Sequence, residues 1–334
     1  VEALLRAHER SGGFLAGGTT KKIDELKEKI GLKADDLQPG GCIGPYRLVG
    51  LIGEGSTSTV FLAEQEEPVR RWVALKVVKP GMDTKNVLLR FGLERQALAL
   101  MDHPGIAKLL DAGATTGGRP FFVMELVTGL RITSYCDEHT LSVPERLNLF
   151  KEICNAVLHA HQRGIIHRDI KPDNVLVSKP GGRVTLKVID FGIAKVLHSW
   201  GLENATRSSL LPFIGTPAYM SPEQVQMTTP DLDTRTDIYS LGVLLYELLA
   251  GHPPFDAKFL MEVGIEEMIR IIRSRDPLSP SDRFSELPEN EQLEIAAARN
   301  TTPVELKRVL KGDLDSIALK ALEKNRENRY QTTA

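Results

Sequence analysis

Cysteine is scarce in this chain: Cys42, Cys136 and Cys154 are the only three in 334 residues, and no two stand in C-x-x-C spacing. An odd, scattered trio excludes a disulfide framework and a zinc ligand set. It points to a reducing, cytoplasmic setting and reads as three buried structural thiols. An excess of one charge is also lacking, since 42 Lys and Arg meet 44 Asp and Glu for a net −2. Such a balance offers no basic surface for nucleic acid. Long apolar runs are missing too. The most apolar segment, Ile238 to Gly251, falls short of the roughly 20 residues of a membrane span. It carries Glu247 as well, and reads as a buried core helix. There is no signal-peptide pattern, internal repeat or low-complexity tract. What remains is an ordinary globular composition, 42% hydrophobic and 26% charged, at a length that suits one large or two modest domains. The chain opens on Val1 and stops after "ENRYQTTA" without a closing cap, so it is expected to be a fragment, which leaves room for a membrane anchor or sensor domain outside it.

The texture changes along the chain. Residues 1–42 form a charged arm. "VEALLRAHER" and "KKIDELKEKI" have helical character, with Ile23, Leu26 and Ile30 on one face, and the Gly/Pro linker "QPGGCIGP" follows. The arm reads either as a solvated helical extension or as a regulatory segment. From residue 43 to 125 the pattern is strand-like: "YRLVGLIG", "STVFLAEQ", "RWVALKVV" and "RPFFVMEL" are β-branched or aromatic runs. One helix interrupts them, "TKNVLLRFGLERQALALM". Beyond a hinge at about 125–129 the chain is mainly helical to residue 334. There "SVPERLNLFKEICNAVLHAHQRG" carries a Ser142 cap with Glu145 three residues on. A short β-rich insertion runs from "NVLVSKP" to "VTLKVID". The fold class is α+β, a small β-rich lobe followed by a larger helical lobe.

Four segments carry chemistry. "LIGEGSTSTVFLA" begins as a glycine loop, with Gly53 and Gly55 in G-x-G spacing and Ser58 where a third glycine would complete a dinucleotide fingerprint. The β-branched residues after it suit a second strand, not a helix. The loop is therefore either a bare hairpin turn or a lid whose backbone amides lie over phosphates. Lys76, among buried strand residues, is either an edge lysine reaching solvent or a paired ammonium with Glu94 as its partner. "IIHRDIKPDNVLV" crowds His167, Arg168, Asp169, Lys171 and Asn174 into one loop bounded by apolar residues. In it, Asp169 can accept a hydroxyl proton and Asn174 can ligate a hard cation. Asp190 in "VIDFG" follows a strand and suits Mg²⁺, which takes few protein ligands.

Taken in order, "GEGSTSTV", "VALK", Glu94, "HRDIKPDN", "DFG", "SPE" and "TDIYSLG" make the sequence resemble the eukaryotic-type (Hanks-type) protein kinases over about Leu51 to Arg329. "KVIDFGIAK", "GTPAYMSPEQ" and "RTDIYSLGVLLYELLAGHPPF" most resemble bacterial serine/threonine members. The resemblance implies a bilobal kinase fold, ATP and Mg²⁺ as cofactors, and proteins with Ser/Thr acceptors as partners. It assigns Gly53, Gly55, Ser58 and Val60 to the ATP lid, and Lys76, paired with Glu94, to the α/β-phosphates. Ala74, Met124 and Leu176 line the adenine pocket, with the Glu125 and Val127 backbone at the adenine edge. Asp169 becomes the catalytic base and Lys171 steadies the phosphoryl group, while Asn174 and Asp190 hold Mg²⁺. Glu223 pairs with Arg329, and Asp237 braces the catalytic loop.

By the same resemblance, Asp190 to Glu223 is the activation segment. Thr216 would contact the catalytic loop, and Arg168 would receive an activating phosphate on Thr206, Ser208 or Ser209. Trans-autophosphorylation through self-association follows as an expectation. A nucleotide-binding pseudokinase scaffold is the alternative, but Lys76, Asp169, Asn174 and Asp190 are all present. Only Ser58 and Ser221 depart from the family pattern, from Gly and Ala respectively.

Overall fold

In a computed structural model of the chain, residues 37–55, 58–79, 101–191, 217–225 and 232–334 are described. The N-terminal arm to residue 36, Glu94, Thr206, Ser208, Ser209 and Thr216 lie outside the described residues. The described residues fall into two compact units, one of 37–79 with 110–126, the other of 101–109 with 127–191, 217–225 and 232–334.

The first unit is a six-stranded sheet of β1 (Cys42–Ile43), β2 (Tyr46–Glu54), β3 (Ser58–Gln65), β4 (Arg71–Val78), β5 (Leu109–Ala114) and β6 (Pro120–Glu125), ordered β1-β2-β3-β4-β6-β5. Side chains alternate across a strand, and β4 shows what that does here. Val73, Leu75 and Val77 are fully buried in one apolar cluster with Tyr46, Leu48, Phe61, Ala63, Phe121 and Val123, so Ala74, Lys76 and Val78 point to the opposite face. Gly113 in β5 leaves room for an aromatic neighbour, since a Cβ there would stand 2.8 Å from the Phe121 ring. Cys42 corrects one expectation: it is exposed, because the two-residue β1 turns Ile43 inward and Cys42 outward. Cys136 and Cys154 are more enclosed, and burial pushes their thiols up to about 11 and about 12 respectively.

The second unit is mainly helical. After β7 (Leu130–Arg131) come α1 (Ile132–Glu138) and α2 (Val143–His161), then β8 (Val175–Ser178) and β9 (Thr185–Val188), which complete a three-stranded sheet in the order β7-β8-β9. Next are α3 (Pro222–Val225), α4 (Arg235–Ala250), α5 (Ala257–Glu262), α6 (Ile265–Ser274), α7 (Pro280–Glu286), α8 (Glu289–Ala297), α9 (Pro303–Leu310) and α10 (Asp313–Ala321). Helix α2 starts where Ser142 gives its N–H and hydroxyl to Glu145 at 2.8 and 2.6 Å, a capping box that satisfies an otherwise orphaned donor. Its buried residues Leu149, Ile153, Ala156, Val157 and Ala160 recur at helical spacing. Helix α4 is buried on nearly all sides, as its largely apolar run from Ile238 to Ala250 demands, and it stops at Gly251, which adopts φ 87°. Gly242 lets α10 approach α4, since a Cβ there would lie 2.7 Å from that of Ala321. Among the described residues no helix is long and apolar enough to cross a membrane.

Candidate active site

In the first unit, register decides which side chains share a face. Gly53 is paired with Val60, Val60 with Lys76, and Ala74 with Met124. Directly opposed residues point the same way, so Gly53, Val60, Ala74, Lys76 and Met124 lie together on the face opposite the apolar cluster. The loop that begins with Gly53 is a hairpin: the Gly55 amide donates to the Ser58 carbonyl at 2.9 Å. Ser58 is buried and opens β3, where it pairs with Val78. Glu125 ends β6. Lys76 is also buried, opposite Val60 in β3 and Phe122 in β6.

The second unit gathers the densest polar cluster. Pro172 begins a 3-10 turn over Pro172–Asn174, which delivers Asn174 to the start of β8. The Asn174 amide nitrogen donates to the Asp169 carbonyl at 2.7 Å and to its carboxylate at 3.0 Å. Lys171 Nζ stands 3.1 Å from the same carboxylate oxygen. Val175 pairs with Val188, and the Ile189 amide donates to the Asn174 carbonyl at 2.9 Å, so the antiparallel register brings Asp190 beside Asn174. Leu176 lies in β8 opposite Lys187. Asp190 adopts φ 62° and Arg168 φ 65°. Left-handed backbone is uncommon for residues with a Cβ and persists only where the surroundings enforce it.

For Arg168 the enforcing contacts are explicit. Asp237, fully buried in α4, accepts the His167 and Arg168 amide hydrogens at 2.7 Å each. Its Oδ2 also meets His161 Nε2 at 2.7 Å. The buried His167 ring accepts the Asp169 amide hydrogen at Nδ1 and donates from Nε2 to the Ile189 carbonyl, at 3.2 and 3.1 Å. That pattern fixes one neutral tautomer, and burial holds the imidazole below its usual range. Phe191 packs on the ring with centroids 4.5 Å apart.

A second network ties residues 217–225 to the same helix. Arg329 forms a two-pronged pair with Glu223, at 2.7 and 2.9 Å, and spends its remaining donors on the carbonyls of Glu323, Lys324 and Arg235. Burial would push the Glu223 carboxyl up, but the Arg329 guanidinium holds it below the usual range. Tyr219 donates to Glu247, and Ser240 donates to the Tyr219 carbonyl at 2.8 Å. No sequence motif marks His161, Tyr219 or Glu247 for these roles. For Gln224 a signal existed, the Ser-x-x-Gln spacing of a capping box in "SPEQ".

The family of the protein kinase domain matches residues 46–334, and the chain belongs to it. Serine/threonine-protein kinase PknB of Mycolicibacterium smegmatis is 35% identical over 86% of this chain and 41% of its own length. Serine/threonine-protein kinase Pkn1 of Myxococcus xanthus is 31% identical over 99% of this chain and 41% of its own. Among solved structures, the PknI kinase domain of Mycobacterium tuberculosis superposes with a TM-score of 0.60 at 26% identity, covering 89% of this chain and 95% of that one. The chain therefore spans about two fifths of the length of these curated relatives.

Proposed function

We propose that the chain is an ATP-dependent serine/threonine protein kinase that transfers the γ-phosphoryl group to protein hydroxyls. One observation carries the reading: the Asp169 carboxylate is held by Lys171 and by the Asn174 amide, in a loop that register joins to Asp190. Asp169 takes the proton of the acceptor hydroxyl as its oxygen forms a bond to phosphorus and the bond to ADP breaks. Lys171, already beside Asp169, offsets the negative charge of the transferred group. The relatives' printed names, serine/threonine-protein kinases, support the same acceptor class.

The donor set fits Mg²⁺. With the Asn174 nitrogen committed to Asp169, its amide oxygen is the ligand atom, and Asp190 adds a carboxylate. Two oxygen donors suit a cation that takes the rest of its shell from water and phosphate. Bound there, Mg²⁺ would neutralise phosphate charge in the transition state. Gly53, Val60, Ala74, Lys76 and Met124, sharing one sheet face, are assigned to ATP, with Lys76 on the α/β-phosphates. Three cysteines without disulfides support a reducing, cytoplasmic setting.

Thr206, Ser208 or Ser209 is proposed as an autophosphorylation site, reached in trans by self-association, with Arg168 receiving the phosphate. The test is transfer of labelled phosphate to a generic basic protein, with phosphoamino-acid analysis and peptide mass spectrometry. Phosphoserine and phosphothreonine in the acceptor, absent with Asp169→Asn, are expected. Equal label from both proteins, or none from either, overturns the reading.

A further inference from the structure

The peptide unit joining Arg168 to Asp169 is clamped at both ends by side chains. Its N–H goes to His167 Nδ1 at 3.2 Å, and its carbonyl accepts from Gln224 Nε2 at 2.8 Å. A peptide unit is planar, so fixing its amide and its carbonyl fixes ψ of Arg168 and φ of Asp169 together. Arg168 is also the residue with φ 65°, a conformation that costs of order 1–3 kcal/mol unless its surroundings hold it. His167 and Asp237 act from within the loop and from α4, whereas Gln224 acts from residues 217–225.

The Gln224 amide is itself oriented. Its Oε1 accepts the Ser221 backbone N–H at 2.9 Å, and the Gln224 backbone N–H donates to the Ser221 hydroxyl at 3.4 Å. This is the reciprocal pattern of a capping box, and Ser221 is fully buried. A flipped amide would set NH₂ against N–H and oxygen against carbonyl, so only one orientation satisfies both neighbours. Ser221, where the family pattern has Ala, supplies the hydroxyl that completes the box.

We infer that Gln224 is a positioning residue for the transfer step. Seated by Ser221, it holds the peptide before Asp169 and so couples the placement of residues 217–225 to the aim of the Asp169 carboxylate. The inference rests on the kinase reading for what Asp169 does, but the clamp itself does not depend on it.

The test compares wild type with Gln224→Met, which keeps length and loses the donor, and Gln224→Glu, whose carboxyl donates only when protonated. Gln224→Met is expected to lower kcat about 10-fold, the worth of one hydrogen bond, with KM for ATP within about twofold. Gln224→Glu, ionised at assay pH because a glutamate ordinarily titrates near about 4.3, sets a carboxylate against the Arg168 carbonyl and is expected to lower kcat at least as far as Gln224→Met. Amide hydrogen exchange over residues 166–170 is expected to speed up in Gln224→Met, and this readout needs no activity. Wild-type kcat in both variants or unchanged exchange overturns the inference. A wild type without Asp169-dependent transfer sinks the kinase reading instead, and the exchange comparison still decides the role of Gln224.

Discussion

His161 and Asp237 stand 76 positions apart, yet imidazole Nε2 and carboxylate Oδ2 lie 2.7 Å apart in the buried centre of the second unit. The same carboxylate takes the backbone amides of His167 and Arg168, so both its oxygens are committed. An amide at this position offers one oxygen, and its NH₂ faces donors on the other side. Asp237→Asn is therefore expected to cost about 2–4 kcal/mol, since it leaves a buried N–H unsatisfied. The melting temperature should fall by roughly 5 °C or more, and turnover should fall at temperatures where the variant is folded. Thermal melts and initial rates check this, and an unchanged melt would contradict the bracing role.

Glu223 and Arg329 make the second long-range tie, 106 positions apart. Arg329 is fully enclosed, and truncating one partner strands the other charge away from water. Arg329→Ala is expected to cost about 3–5 kcal/mol, and Glu223→Gln less because the amide oxygen still accepts. A double-mutant cycle by denaturant unfolding measures the coupling. Additive effects would show that the two side chains do not act as a pair.

Burial raises the Glu247 carboxyl to about 7 despite the Tyr219 hydroxyl. Between the unfolded value near 4.5 and 7, the folded state keeps a proton that the unfolded state has lost. Stability from this group therefore falls as pH rises through that window. Glu247→Gln lacks the titration, so its stability relative to wild type is expected to grow from pH 5 to pH 8, by at most about 3 kcal/mol. The histidines work the other way. Burial holds His103, His159 and His167 below the usual range, so their contribution is complete above about pH 6.5 and lost as pH falls below it. Melting curves of both proteins across pH separate the two effects, and a pH-independent difference would contradict the Glu247 assignment.

How much of this was legible beforehand follows from what each feature depends on. The four runs of β-branched and aromatic residues became β2, β3, β4 and β6 almost residue for residue, because their alternation fits a half-buried sheet. β5, "LLDAGA", has weak strand propensity and owes its conformation to pairing with β6 and to the Phe121 ring over Gly113. The Asp169, Lys171 and Asn174 cluster was readable because its members sit within six residues. His161 and Glu247 were not, since their partners are distant in sequence and only the packing of α2 and residues 217–225 against α4 brings them close; Gln224 showed its near partner Ser221 but not its distant one, the Arg168 carbonyl. Cys42 was misread because two-residue strands give no periodicity from which to tell inside from outside.

The central claim is that Asp169 acts on the acceptor hydroxyl while other residues hold ATP. Its most direct test is the Mg²⁺-dependent initial rate of wild type and Asp169→Asn at saturating ATP, with ATP affinity measured on both by calorimetry. The account predicts a fall of at least about 10²-fold in rate, the lower range for loss of a positioned proton acceptor, with ATP affinity within a few-fold. An Asp169→Asn protein that turns over at the wild-type rate would contradict it.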